Sequence, residues 1–210
     1  LCIVYDGLDP QIYRTDKKLF QNSTPTFLIV GTIKKTKGQE FLLKACTLLR
    51  TKSIDFVLLI AGDGPEEEKK RLSKIIQDGH LSNQVEFLGF MDDIASVHAK
   101  ADILFMCSSS EAFGRVTVEG MMSGSLIIGS NQGCTREIIS DGYNGYLYEH
   151  DNINDLTNVI IKALCDKHTS RIIAKNGQDH AINSFSLHRN ISSIREIYCE
   201  VIDNEKKNYS

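Results

Sequence analysis

Short, wholly apolar runs and amphipathic stretches take turns along almost the whole of this 210-residue chain, and that alternation leaves few folds open. Phe27–Val30 runs into Gly31, and Phe56–Ala61 runs into Gly62-Asp63-Gly64-Pro65. Val85–Leu88, Asp102–Cys107, Leu126–Gly129 and Gly145–Tyr148 follow. Runs that are apolar at every position, rather than at every second one, fit strands buried on both faces of a parallel sheet. Between them, Lys37–Arg50 sets Phe41, Leu42, Ala45, Leu48 and Leu49 on one helical face. Helices are also expected from Glu66, over Asp92–Ala99, Arg115–Met122, Cys134–Ser140, Ile153–Asp166, Ser170–Asn183 and Leu187–Glu205. The pattern predicts an α/β, Rossmann-like, doubly wound parallel sheet of about six strands. In the usual order, 3-2-1-4-5-6, strands one and four are neighbours and a ligand crevice opens between their C-terminal loops. Those loops are Thr32–Gly38, with Lys34, Lys35 and Lys37, and Ser108–Gly114.

The second loop leads into SSSEAFGRVTVEGMMSG, Ser108–Gly124, the stretch with the most chemistry in it. Small polar residues and Gly114 precede a helix start at Arg115, and Glu111 and Glu119 flank the turn with seven residues between them. Glu119 then lies one turn inside the helix, about 6 Å along its axis. Helical side chains lean toward the N-terminus, so its carboxylate can point back to the helix mouth, where Glu111 arrives from the loop. Free amides over Gly114–Thr117 would attract an anion. An anion site bracketed by two hydroxyl-binding acids suits a nucleotide-sugar, with its diphosphate, ribose diol and sugar hydroxyls.

Composition narrows the function by exclusion. A net charge of −3 gives no sign of nucleic-acid binding. The apolar runs are far too short to span a bilayer. Six scattered cysteines without a C-x-x-C fit reduced thiols in the cytoplasm rather than a disulfide or zinc framework. No Asp-x-Asp occurs, and the six histidines pair with no evident acid or nucleophile, so neither metal nor histidine catalysis is assigned. Beginning at Leu1 inside LCIVY, the chain reads as part of something longer. The expected division is an interdomain strand (Cys2–Tyr5) and linker over 1–25, a binding domain over 26–186, and a terminal helix and tail over 187–210.

EAFGRVTVEGMMSG resembles the signature of the retaining glycosyltransferase group 1 family, with its paired glutamates in the setting Ser-x-x-Glu-x-Phe-Gly. The resemblance runs from the turn Asp6-Gly7-Leu8-Asp9, where the family usually has Asn at the place of Asp6, to the last helix. It implies the C-terminal half of a GT-B enzyme, which binds a nucleoside-diphosphate sugar and needs no cofactor. The acceptor half would be an N-terminal domain, without which this chain would bind donor but not transfer sugar. The resemblance makes Glu119 the ribose acid and Glu111 the catalytic-site acid that contacts the transferred sugar. Ala112, Phe113, Gly114, Arg115 and Val116 would line sugar and phosphates, and Lys37, in Lys37-Gly38 after Gly31, would bind the diphosphate. The family's arginine after that strand glycine is replaced by Thr32, so a second cation is missing or comes from Lys34, Lys35 or Arg115.

Phe90 and Met91 match the segment whose backbone reads the base, and a core or rim role fits their side chains equally well. Gly62-Asp63-Gly64-Pro65 is explained by a tight turn and helix cap, Cys134 by a buried thiol, and Glu137 by a structural role. The same architecture also serves sugar-nucleotide epimerases, phosphorylases and non-catalytic nucleotide-binding modules. A dinucleotide oxidoreductase is disfavoured because Gly31-Thr32-Ile33-Lys34 stands where G-x-G-x-x-G would be. The full-length enzyme would transfer sugar to a glycan or glycolipid, and peripheral contact with a membrane is compatible with that. The apolar stripe Ile191, Ile194, Ile197, Tyr198 and Val201 on the terminal helix is expected to be partly exposed.

Overall fold

The computed structural model describes residues 3–13, 15, 17–109, 111 and 113–208, and side chains as far as 202. Six strands form one parallel sheet: β1 (Thr26–Val30), β2 (Val57–Ala61), β3 (Val85–Gly89), β4 (Ile103–Met106), β5 (Leu126–Ser130) and β6 (Tyr146–Tyr148). Their order is β3-β2-β1-β4-β5-β6, the predicted doubly wound arrangement. β1 pairs with both β2 and β4, in register Phe27 to Leu58 and to Ile103.

In the central strands β1, β2 and β4, alternate side chains enter different layers, which is why those runs are apolar throughout, whereas the edge strand β3 carries the exposed Glu86. Phe27, Ile29, Leu58, Ile60, Ile103 and Phe105 pack against α2 (Gln39–Thr51), α3 (Glu66–Asp78) and α7 (Ile153–Cys165). Leu28, Leu59, Leu104, Met106 and Ile127 face a second layer with Val97, Val118, Met121 and Phe185. That layer holds α4 (Ile94–His98), α5 (Arg115–Met122) and the C-terminal end of α8 (Lys167–Phe185). The short α6 (Gly133–Ile138) and the terminal α9 (Leu187–Asn208) complete the chain. On α9, Ile191, Ile194, Tyr198 and Val201 are exposed and Ile197 half-buried, as expected of that stripe.

The N-terminal segment differs from its expectation. The expected strand begins on Cys2, outside the described residues, and Ile3–Tyr5 is not in a strand; the segment lies against α9, whose Asn190 donates to the Tyr5 carbonyl. Only Leu8 bridges to Ser186, and α1 (Pro10–Tyr13) follows. The polar stretch after it is fastened to the domain rather than loose. Lys17 Nζ donates to the carbonyls of His98 and Ala101 and to Ser125 Oγ, at 2.6–2.8 Å. Asp102 accepts the amides of Phe20 and Thr26, and Leu19 and Phe20 are buried.

Candidate functional site

The crevice lies where the order of strand addition reverses, between the loops after β1 and β4. A glycine sets its geometry. Gly38 has φ +75, and a Cβ there would stand 2.1 Å from the Cys107 carbonyl oxygen, so only glycine lets the first loop press against the end of β4. Ser109 N donates to the Thr36 carbonyl at 3.0 Å across the same seam. The buried Gln39 amide donates to the Thr32 carbonyl at 3.1 Å and orders the turn before it. Lys37, on the 3-10 turn Lys35–Lys37, is thereby aimed across the crevice, with its stem over Gly31.

Lys37 Nζ forms a direct ion pair with Glu111 Oε1, and Ser108 Oγ donates to the same oxygen at 2.8 Å. The two residues come from loops 74 positions apart. Around them, Gly31, Phe113, Gly114, Arg115 and Val116 line a cavity of about 300 Å³. Gly114, at φ +78, turns the chain into α5. Of the amides expected to be free there, that of Thr117 is taken by the Gly114 carbonyl at 2.8 Å. Phe113 is held in place by aromatic neighbours, stacked on Tyr5 with centroids 5.8 Å apart and edge-on to Phe185 at 5.7 Å.

Other expected residues lie elsewhere. Ala112 falls outside the described residues. Thr32, Lys34 and Lys35 are exposed and do not line the cavity, leaving Arg115 as the second cation in it. Arg115 reaches Asp6 at 3.0 Å. Phe90 is 77% exposed on the loop after β3, and Met91 packs half-buried against the second core layer. Cys134 is buried, and burial first, then the charges of Glu111 and Glu137, push its thiol up, which fits an inert thiol. Glu137 itself is exposed. Gly62 and Gly64 are a turn: a Cβ on either would meet the carbonyl oxygen of Gly31 or Ile33 at 2.1 or 2.4 Å.

Glu119 does not share the Glu111 space. It is 8% exposed and turns toward α1 and α4, with Oε1 3.9 Å from Arg115 Nε and Oε2 3.4 Å from His98 Nε2. The phenol of Tyr13 is pushed up to about 12, by burial first and then by the charge of Glu119. The expectation that no histidine meets an acid is therefore corrected. His98 faces Glu119 from α4, the preceding helix, on the far side of β4 in sequence. His150 stands 2.9 Å from Ser130 Oγ and 3.3 Å from Asp151, although Ser130 is fully buried and presents no nucleophile. Sequence reasoning gave no site role to His98, Tyr13, Asp6 or Ser108, although Asp6 stood in the family's turn and Ser108 in its motif. Ser108 also lies three residues before Glu111 on the same loop, whereas nothing local marked His98 or Tyr13.

A Rossmann-like sheet with this crevice is one half of the GT-B architecture, and comparison with known proteins agrees. Residues 14–180 match the family model described as "Glycosyl transferases group 1", and the chain belongs to that family. An uncharacterized glycosyltransferase of Methanocaldococcus jannaschii is 31% identical over 204 residues, 96% of this chain and 54% of its own. HepE of Anabaena, solved with UDP-glucose, superposes with a TM-score of 0.85 at 28% identity, covering 94% of this chain and 57% of that one. The C-terminal domain of a group 1 protein (LpcC) from Francisella tularensis superposes at 0.77 and 27% identity over 86% of this chain and 100% of that one. The chain spans about half the length of the curated relatives it matches. Among the described residues, no helix is long and apolar enough to cross a membrane.

Proposed function

We propose that this chain is the donor-binding half of a retaining glycosyltransferase that moves a sugar from a nucleoside diphosphate to a glycan or glycolipid hydroxyl. The observation that carries the reading is the meeting of Lys37 and Glu111 beside Arg115 at the mouth of α5. Two cations and the α5 N-terminus face a diphosphate, and a carboxylate stands beside them for a sugar hydroxyl. Glu119 takes the ribose diol on the open edge of its carboxylate, where 11% of the side chain is exposed. During transfer the bond from the anomeric carbon to the diphosphate oxygen breaks, and the nucleotide keeps the electron pair. The acceptor hydroxyl bonds to that carbon on the face the nucleotide leaves and passes its proton to the departing diphosphate oxygen. Lys37 and Arg115 offset the charge that grows on the departing phosphate.

Holding the acceptor near the anomeric carbon is worth about 7–11 kcal/mol, and the described residues show donor-side groups only. Transfer therefore requires the acceptor domain, and this chain by itself binds without turning over. HepE supports a nucleotide-sugar ligand, since its structure holds UDP-glucose. Calorimetry with UDP, GDP, ADP and the parent nucleosides tests the reading. Lys37→Ala should weaken the diphosphates far more than the nucleosides. Glu119→Ala should weaken both by about 1.5–3 kcal/mol, the worth of hydrogen bonds to a charged acceptor. Equal losses for diphosphate and nucleoside in Lys37→Ala, or robust sugar transfer by these 210 residues alone, would sink it.

A further inference from the structure

His98 ends α4 fully buried, and neither of its ring nitrogens has a hydrogen-bond partner among the described residues. Nε2 lies 3.4 Å from Glu119 Oε2 without the alignment of a bond. Tyr13 closes the site from α1, its ring edge-on to the imidazole with centroids 6.0 Å apart. Lys17 holds the backbone of the same residue, donating to the His98 carbonyl at 2.8 Å, so the ring is anchored from behind. A buried polar group left unpaired is unfavourable, and a hydrocarbon of the same shape would be tolerated as well or better. An imidazole with nothing to bond except one carboxylate, and just out of reach of it, points to a second position of that carboxylate.

We propose that His98 is a positioning residue for Glu119, its Nε2–H bonding Oε2 when a ribose diol engages the carboxylate. The inference rests on the ribose assignment of Glu119. A carboxylate offers about four acceptor sites. Two serve the diol and one the Tyr13 phenol; Arg115 Nε, 3.9 Å from Oε1, is too far to bond, which leaves one site, on Oε2 facing His98. Closing 3.4 Å to an ordinary N–H···O length near 2.9 Å needs a shift of about half an ångström. Ligand binding thereby satisfies a donor that is unpaired beforehand, and the carboxylate is gripped from behind while it grips the diol in front. A ribonucleotide is favoured over its deoxy form because only the full diol draws Glu119 into that position.

The test uses the 210-residue chain with UDP, GDP and their 2′-deoxy counterparts. His98→Phe should weaken the ribonucleotide about tenfold, the worth of one hydrogen bond to a charged group, and the deoxynucleotide by no more than about twofold. The thermal midpoint of the ligand-free His98→Phe domain should stay level or rise, since an unpaired buried group is gone. His98→Gln, which retains a side-chain N–H donor, should recover most of the ribonucleotide affinity. Glu119→Ala should erase the preference for ribose altogether. Equal losses for ribo- and deoxynucleotide in His98→Phe, or none while Glu119→Ala loses the preference, overturn the role of His98. A preference that survives Glu119→Ala, or an unmodified chain that binds neither nucleotide, refutes the ribose reading instead, and the inference falls with it.

Discussion

Glu111→Gln separates the two jobs of the crevice. Lys37 is paired with Glu111, with side chains 24% and 19% exposed. A diphosphate entering beside them therefore meets a carboxylate as well as a cation. For a phosphate placed about 6 Å from that carboxylate, and an effective dielectric of about 40 for a site partly open to water, the repulsion would be about 1.4 kcal/mol per phosphate charge. That corresponds to about tenfold in Kd. Glutamine preserves the shape and an acceptor for Ser108 while removing the charge. UDP should therefore bind about tenfold tighter to the variant, with the gain shrinking as salt is raised. UDP-glucose should gain less, because its sugar loses a charged acceptor. Breaking the pair leaves a part-buried lysine alone, so the ligand-free fold should lose about 1–2 kcal/mol. Calorimetry with UDP and UDP-glucose, paired with urea unfolding, reads all three effects. Unchanged or weaker UDP binding by Glu111→Gln would refute the reasoning, since it would place the diphosphate away from this pair.

If Arg115 is the second phosphate cation, Arg115→Ala should lower diphosphate affinity about tenfold by calorimetry, and Lys34→Ala and Lys35→Ala by less than about twofold; the reverse ranking would return the role to the exposed lysines. Gly38→Ala should destabilise the fold by at least about 2 kcal/mol in urea unfolding, from left-handed strain and the clash with Cys107 together, and a loss below about 0.5 kcal/mol would show that the loop can move away at little cost. Burial pushes the Lys17 amine down to about 7, below its value of about 10.4 in an unfolded chain, so between those values the unfolded state holds a proton the folded state sheds and stability rises with pH. Lys17→Met removes that contribution, and unfolding curves at pH 7.5 and 9.5 should show the unmodified chain gaining on the variant; a constant difference would mean that Lys17 keeps its charge in the fold.

Much of the fold was legible because burial on both faces of a parallel sheet writes itself into local composition. Phe27–Val30 has to be apolar throughout when Phe27 and Ile29 enter one layer and Leu28 the other. The usual order of a doubly wound sheet then supplied the strand order, and the α5 bounds, Arg115–Met122, agree with those read from the sequence. LCIVY misled because a short apolar run by itself guarantees neither burial nor a neighbouring strand: Ile3 and Tyr5 are exposed. The site was legible as an inventory and not as an arrangement. That Lys37 and Glu111 belong to one crevice was expected from topology, but their direct pairing depends on how closely Gly38 lets one loop approach Cys107. That Glu119 turns away toward His98 and Tyr13 depends on the rotation of α5 and on how α1 and α4 pack over it. Sequence spacing gives the position of a carboxylate along its own helix. It carries no information about which side chain of another helix, brought near only by packing, will stand a few ångströms from it.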